Sequence, residues 1–197
     1  MTTIGLVRHG ITDWNIQGIA QGSSDVPLNR TGQQQAEALA NRLAAEENWD
    51  LIISSDLSRA KETAEIIGRK LQLPVSHFDT RLRERSGGKI EGTTEEQRLE
   101  KWGTDWRKLD LAMENLDEAA GRGLACIEDI LEDFNGQRVL IVSHGALIGL
   151  TLKKLMPGKF QETSMDNTSI TILKNAESRW DCSLYNCTVH LQKSESY

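Results

Sequence analysis

The sequence of 197 residues is poor in cysteine (3), proline (3), histidine (4) and aromatic side chains (5%), and it carries no surplus of positive charge. Each shortage excludes something. Cys126, Cys182 and Cys187 are odd in number and lack metal-ligand spacing, which excludes a disulfide-stapled scaffold and a zinc cluster. Reduced thiols in a cytoplasmic protein are the expectation. A formal net charge of −6 argues against general binding to nucleic acid or to an anionic membrane. It leaves room for a small anionic ligand, because such a site needs only a few converging cations. No apolar run is long enough to span a bilayer. Residues from Thr2 onward read as strand and motif, which leaves no place for a signal peptide. No internal repeat or low-complexity linker interrupts the chain. What is present is an ordinary globular composition, 38% hydrophobic and 26% charged, in a length that suits one α/β domain.

Apolar runs alternate with helix-spaced stretches. Strands are expected at 3–7, 51–54, 74–78 and 138–142, and two β-rich segments, 169–173 and 180–191, close the domain. A helix opening at Thr31, with a Thr-x-x-Gln capping pattern to Gln34, carries Ala36, Leu39, Ala40 and Leu43 on one face. Ser55-Asp56 reads as the N-cap of a helix bearing Arg59, Ala60, Thr63, Ala64 and Ile67. Further helices are expected from about Thr94, over 115–134 and over 146–155. Leu99, Trp102, Trp106, Leu109 and Met113 recur at helical spacing. They form either a core-facing stripe or, at Trp102 and Trp106, a lid over a substrate. The expected architecture is α/β: a three-layer sandwich whose mostly parallel central sheet has helices on both faces. It forms a single domain over residues 1–192, with 193–197 a frayed polar tail.

Two strand ends deliver His-Gly: the first strand runs into Arg8-His9-Gly10 and the fourth into Ser143-His144-Gly145. In parallel sheets ligands bind at the carboxyl ends of the strands, where the start of the Arg59 helix also lies. A neutral imidazole attacks phosphorus, fixed guanidinium groups hold phosphoryl oxygens, and glycine lets backbone N–H groups approach an anion. The set supports phosphoryl transfer through a phosphohistidine. His9 is the nucleophile, while Arg8, Arg59 and a protonated His144 stabilise the equatorial oxygens. Glu84, at a glycine-rich turn, donates a proton to the leaving alkoxide and later takes one from water. The scheme needs no metal and no cofactor, and no carboxylate cage is evident in the sequence.

A resemblance covers residues 3 to about 173. The matching pieces are Arg8-His9-Gly10, Thr12-Asp13-Trp14-Asn15, Gln21-Gly22 with Asp25-Val26-Pro27-Leu28, and Gly32 followed by Gln35-Ala36. Further on come Ser54-Ser55-Asp56-Leu57-Ser58-Arg59-Ala60 with Thr63-Ala64, Leu82-Arg83-Glu84 with Gly88 and Glu91-Gly92, and Val142-Ser143-His144-Gly145. The chain resembles the histidine phosphatase superfamily, in the branch similar to cofactor-dependent phosphoglycerate mutases and small bacterial broad-specificity phosphatases. The resemblance implies His9 as the phosphorylated residue, His144 as its partner, Arg8 and Arg59 as phosphate clamps and Glu84 as proton donor. It also implies Asn15 as a phosphate-contacting amide, with Gln21, Gly22 and the Gly145 backbone nearby.

One departure is Ile11, where the family usually has Glu. Another feature is Arg85, directly after the acid. Pointing inward, it either weakens Glu84 as an acid or binds a second anionic group of the substrate. The expected activity is hydrolysis of small phosphorylated metabolites. Mutase-type transfer is the first alternative, disfavoured by the short stretch between Glu84 and His144. A non-catalytic sensor of phosphorylated ligands is the second. The natural substrate and the oligomeric state are left open by the sequence.

Overall fold

Apolar side chains occupy both faces of the central strands, so each strand must be covered twice. The computed structural model describes residues 1–192 except 47, 162 and 178, so the expected tail 193–197 lies outside the described residues. Six strands form one sheet: β1 (Thr2–Arg8), β2 (Leu51–Ser54), β3 (Val75–Phe78), β4 (Arg138–Ser143), β5 (Ile170–Ala176) and β6 (Arg179–Cys187), in the order β3-β2-β4-β1-β5-β6. The β3-β2-β4-β1 block is parallel, and β5 and β6 add antiparallel at the β1 side.

Successive residues of each strand go to opposite cores. Ile4, Leu6, Ile53, Val139 and Ile141 pack with Ile127 and Ile130 of helix α5 (Leu116–Asp133) and with Ile148 and Leu152 of α6 (Gly145–Leu155). On the other face, Val7, Ile52, Leu140 and Val142 meet Leu39 and Leu43 of α2 (Arg30–Glu46) and Ala60, Ala64 and Ile67 of α3 (Ser58–Leu71). Each fully buried Leu, Ile or Val contributes about 1.5–3 kcal/mol of transfer free energy. These two cores hold the sheet rigid beneath its carboxyl edge.

Several local expectations are replaced by tertiary contacts. Helix α2 is capped by Asn29, whose side-chain oxygen accepts the Gly32 N–H (2.9 Å), and Thr31 lies inside the helix. Helix α3 has Leu57 at its N-cap position, with no side-chain cap bond. Its Ser58 N–H instead donates to Asp25 of a distant loop (2.7 Å). The expected cap residues serve elsewhere: Ser55 near His144, and Asp56 in a bond from Arg83 Nε (2.7 Å). The last β segment stops at Cys187, and Val189–Leu191 is a 3-10 turn.

The stripe from Leu99 to Met113 does not form a core face. Helix α4 (Glu95–Trp102) ends at Gly103, whose φ of 77° breaks the helical path, and Leu99 and Leu109 are 40% and 45% exposed. Trp106 is buried, with its indole N–H on Glu95 Oε1 (3.1 Å) and its ring contacted by the Arg98 and Arg107 guanidinium groups (5.0 and 4.2 Å from the ring centre). It pins its own segment to α4. Among the described residues no helix is long and apolar enough to cross a membrane, and the three cysteines are unpaired.

Candidate active site

The register of β1 on β4 sets Arg8 opposite Ser143, and the His9 N–H donates to the Ser143 carbonyl (3.0 Å). On the far side of β4, the Ser55 N–H donates to the Val142 carbonyl (2.9 Å). Three adjacent parallel strands therefore end in His9, His144 and Ser55. The two imidazole rings lie 5.2 Å apart, tilted by 58°, and both are buried.

His9 Nδ1 is 2.7 Å from the Gly10 carbonyl. A carbonyl only accepts, so Nδ1 carries the hydrogen and the ring lone pair sits on Nε2. The His9 carbonyl accepts from Thr168 N (3.2 Å) and Asn167 Nδ2 (3.1 Å), which fixes the residue from behind. Burial first, then the Arg59 and Arg8 charges, hold the His9 pKa well below the usual imidazole range. Burial, Arg59, His9 and Arg8 do the same to His144. Both shifts favour neutral rings at pH 7 and run against the expected protonation of His144. His144 Nε2 is 2.9 Å from Ser55 Oγ, and its Nδ1 is buried without a hydrogen-bond partner among the described residues.

Arg59 is fully buried in the first turn of α3, where the helix dipole disfavours a cation. Two carbonyls compensate: Nη1 donates to Ser24 O (2.7 Å) and Nη2 to Gly22 O (2.8 Å). Burial draws its pKa down to about 10, with the Glu84 and Asp25 charges opposing, so it stays cationic at neutral pH. Arg8 donates Nη1 to the Met165 carbonyl. A Cβ on Gly145 would lie 3.2 Å from Arg8 Nε, so Arg8 lies against the first residue of α6. The Nε groups of Arg8 and Arg59 are buried and unpartnered among the described residues, like His144 Nδ1. A buried polar group without a partner costs about 1–3 kcal/mol. These orphan nitrogens belong to the two arginines whose charges act on His9 and to the imidazole next to it, a cationic environment that suits an oxyanion.

Glu84 follows the 3-10 turn Thr80–Leu82, and its carboxylate accepts from Ala146 N (3.1 Å) and Leu147 N (2.9 Å) at the start of α6. These two bonds set Glu84 beside the His144 end of β4.

The sequence model of the histidine phosphatase superfamily (branch 1) matches residues 4–188. The chain belongs to this superfamily. It is 37% identical over 193 residues to the uncharacterised phosphatase PhoE of Bacillus subtilis (strain 168), with 97% of each chain covered. Among solved structures it is similar to YhfR of Bacillus stearothermophilus, with a TM-score of 0.87 and 29% identity over 98% of this chain and 100% of that one. It is also similar to a mutant phosphoserine phosphatase of Entamoeba histolytica in complex with phosphoserine, with a TM-score of 0.80 and 28% identity over 98% and 100% of the two chains.

The loop after β1 borders the candidate site. Helix α1 (Asp13–Ile16) is one turn closed by a capping box: Thr12 N donates to Asn15 Oδ1 and Asn15 N to Thr12 Oγ1, both at 3.1 Å. Gln21 Oε1 accepts from Thr12 Oγ1 (2.9 Å), tying the Gln21-Gly22 segment to that turn. Ile11 causes no visible loss of order. Its N–H donates to Gln35 Oε1 (2.9 Å), and His9 is oriented by the Gly10 carbonyl, without the residue 11 side chain. Arg85 is drawn away from Glu84: its Nε donates to the Glu114 carbonyl (2.7 Å), and only its backbone N–H reaches the Glu84 carboxylate (2.8 Å).

Gly10 and Gly32 let this loop lie against α2. A Cβ on Gly32 would sit 2.1 Å from the Ile11 carbonyl, and one on Gly10 would sit 2.4 Å from the Gly32 carbonyl. Backbone cannot yield as a side-chain tip can. Gly32→Ala should therefore destabilise the fold by about 2 kcal/mol, read as a lower urea midpoint with unchanged m-value. A midpoint equal to the parent's would show that the loop and α2 separate freely.

Four contributors have roles that sequence reading does not assign. Ser55 reads as a helix cap, yet it meets His144. Asn167 and Thr168 precede the expected β segment 169–173 and carry no reading of their own, yet they hold His9 from behind. Glu91 belongs to the family motif, but only the structure shows its partners: Ser23 N and Oγ (both 2.9 Å), Ser24 Oγ (2.7 Å) and Gly87 N (2.8 Å). Against the upward push of burial, hydrogen bonds from Ser24, Ser23 and Gly87 keep its carboxyl below the ordinary range. It joins the loop that supplies the Arg59 carbonyls to the loop that carries Glu84. Ser55 and Glu91 lie in motif pieces of the resemblance; the remaining sequence signal is that each of the four lies just before or after a strand at the carboxyl edge of the sheet, or in a loop over it.

Proposed function

We propose that this chain, a single domain over residues 1–192, hydrolyses small phosphomonoesters through a phosphohistidine at His9. The observation that carries the reading is the group of buried, unpartnered nitrogens, Arg8 Nε, Arg59 Nε and His144 Nδ1, together with an imidazole whose lone pair is held on Nε2. Such donors match the three oxygens of a transferring phosphoryl group.

In the first step His9 Nε2 forms a bond to phosphorus while the ester P–O bond breaks, and Glu84 gives its proton to the departing alkoxide. In the second, water attacks phosphorus and passes a proton to Glu84. The N–P bond breaks, and its electron pair returns to Nε2. Arg8 and Arg59 stabilise the oxygens, and Ser55 donating to His144 Nε2 makes Nδ1–H a further donor. The Asn15 amide, the Gln21-Gly22 loop and the Gly145 backbone line the phosphate position. Arg85, whose Nη groups make no hydrogen bond to a described residue, takes a second anionic group of the substrate. The likeness to a phosphoserine phosphatase supports small phosphorylated metabolites as the substrate class.

The test is release of inorganic phosphate, with EDTA present, from p-nitrophenyl phosphate, phosphoserine, 3-phosphoglycerate and glycerol phosphate. Turnover is expected. So is a kcat/KM that holds in mild acid below pH 6.5, where a His9 of depressed pKa remains neutral. Interconversion of 2- and 3-phosphoglycerate without phosphate release would instead identify a mutase. Binding without turnover would identify a sensor.

A further inference from the structure

Arg122 lies on α5, and nothing in its sequence surroundings marks it. All five of its N–H groups are engaged. Nε donates to Glu114 Oε1 (2.7 Å) and Nη2 to Glu114 Oε2 (2.9 Å), a bidentate pair. The remaining three reach three carbonyls of the segment that carries the proposed acid: Nη1 to Arg81 O and Arg83 O (both 2.6 Å) and Nη2 to Glu84 O (3.1 Å). Glu114 grips the same segment from the other side. Its carboxylate accepts Ser86 N (3.0 Å), its carbonyl accepts Arg85 Nε (2.7 Å), and its N–H donates to Ser86 O (3.0 Å). Both side chains are about four-fifths buried, at 22% and 19% exposure.

This segment has no regular structure of its own beyond the turn Thr80–Leu82. Free, its backbone would sample many positions, and a proton donor displaced by about 1 Å loses on the order of a hundredfold in rate. Helix α5 packs on α6, which holds the Glu84 carboxylate, so backbone and carboxylate are gripped by two helices of one layer. A lysine at 122 keeps the charge but cannot span Glu114 and three carbonyls together.

We infer that Arg122, fixed by Glu114, is a positioning residue that places Glu84 to protonate the leaving group. The inference rests on the proposed acid role of Glu84. The readout is leaving-group dependence of kcat/KM, which covers only the steps through phosphoryl transfer to His9. Nitrophenolate departs as a stabilised anion and needs little help, whereas an alkoxide needs the acid.

In Arg122→Lys and Glu114→Gln, kcat/KM for the fastest alkyl ester of the panel should fall about a hundredfold. For p-nitrophenyl phosphate it should fall less than about fivefold. Far-UV circular dichroism and a thermal melt show whether each variant is folded, and Glu114→Gln carries the test if Arg122→Lys is not. Glu84→Gln, run beside them, separates the two claims. Discrimination by Glu84→Gln alone, with equal losses on both esters or none in folded Arg122 and Glu114 variants, overturns the positioning role and leaves the acid standing. Equal losses on both esters in Glu84→Gln remove the acid role and the inference with it.

Discussion

His9→Ala is expected to lower kcat/KM for every phosphomonoester by at least about 10⁴-fold, because it removes the atom proposed to accept the phosphoryl group and leaves only the proposed binding groups. The effect should be this large for a physical reason. Without the imidazole the only nucleophile left is water, which is neither held in line nor as strong a nucleophile, so direct hydrolysis should not reach a comparable rate. Phosphate affinity should survive within about tenfold, since Arg8 and Arg59 are held by the Met165, Ser24 and Gly22 carbonyls and not by His9. The decisive measurement is rapid acid-free quenching with radiolabelled substrate. The parent protein should carry label that is stable in alkali and lost in acid, as a phosphoramidate is, and His9→Ala should carry none. Label retained by the variant would place the nucleophile elsewhere. Turnover within tenfold of the parent would abolish the covalent route altogether.

A second large effect is expected in stability against pH. His9 and His144 are held well below the usual imidazole pKa, and burial, with Arg42 adding, pulls His190 down to about 4. The unfolded chain takes up these protons near pH 6.5, while the folded chain does not. Below pH 6.5 the unfolded state therefore binds more protons, and stability falls as pH falls. Each such proton is worth about 1.4 kcal/mol per pH unit, so three of them approach 4 kcal/mol per unit, a large share of the 5–15 kcal/mol of an ordinary domain. Depressed carboxylates such as Asp56, Asp79, Glu91 and Glu114 add to the loss only in their own, more acidic range. Glu62, which burial raises, opposes it. Urea denaturation between pH 7 and 5 in phosphate-free buffer should show this slope, and His190→Gln should reduce it by about one proton. A flat profile, or greater stability at pH 5, would contradict neutral buried imidazoles.

These effects separate what is local from what is not. The strands and the faces of α2, α3, α5 and α6 were legible because burial on both sides of a sheet leaves unbroken apolar runs, and helices packed on it keep apolar residues three and four apart. Caps were less legible. Thr31 and Ser55-Asp56 carry good local signals, yet Asn29 and the distant Asp25 win, because side-chain acceptors compete for the same N–H groups and tertiary geometry decides among them. The stripe through Trp102 and Trp106 misled for a related reason: spacing marks a face only while one helix lasts, and Gly103 ends α4.

From the sequence alone came the strand ends that hold Arg8-His9 and His144, the helix start that holds Arg59, and the loop that holds Glu84. Those follow from short-range pattern and chemistry. Only the tertiary structure decided that burial favours the neutral form of both histidines, that Ser55 and Asn167 serve them, and that Arg122 and Glu114 grip the acid segment. Burial, tautomer and guanidinium geometry depend on groups up to about 160 positions apart, such as Asn167 and His9, and no local pattern encodes which of them will meet.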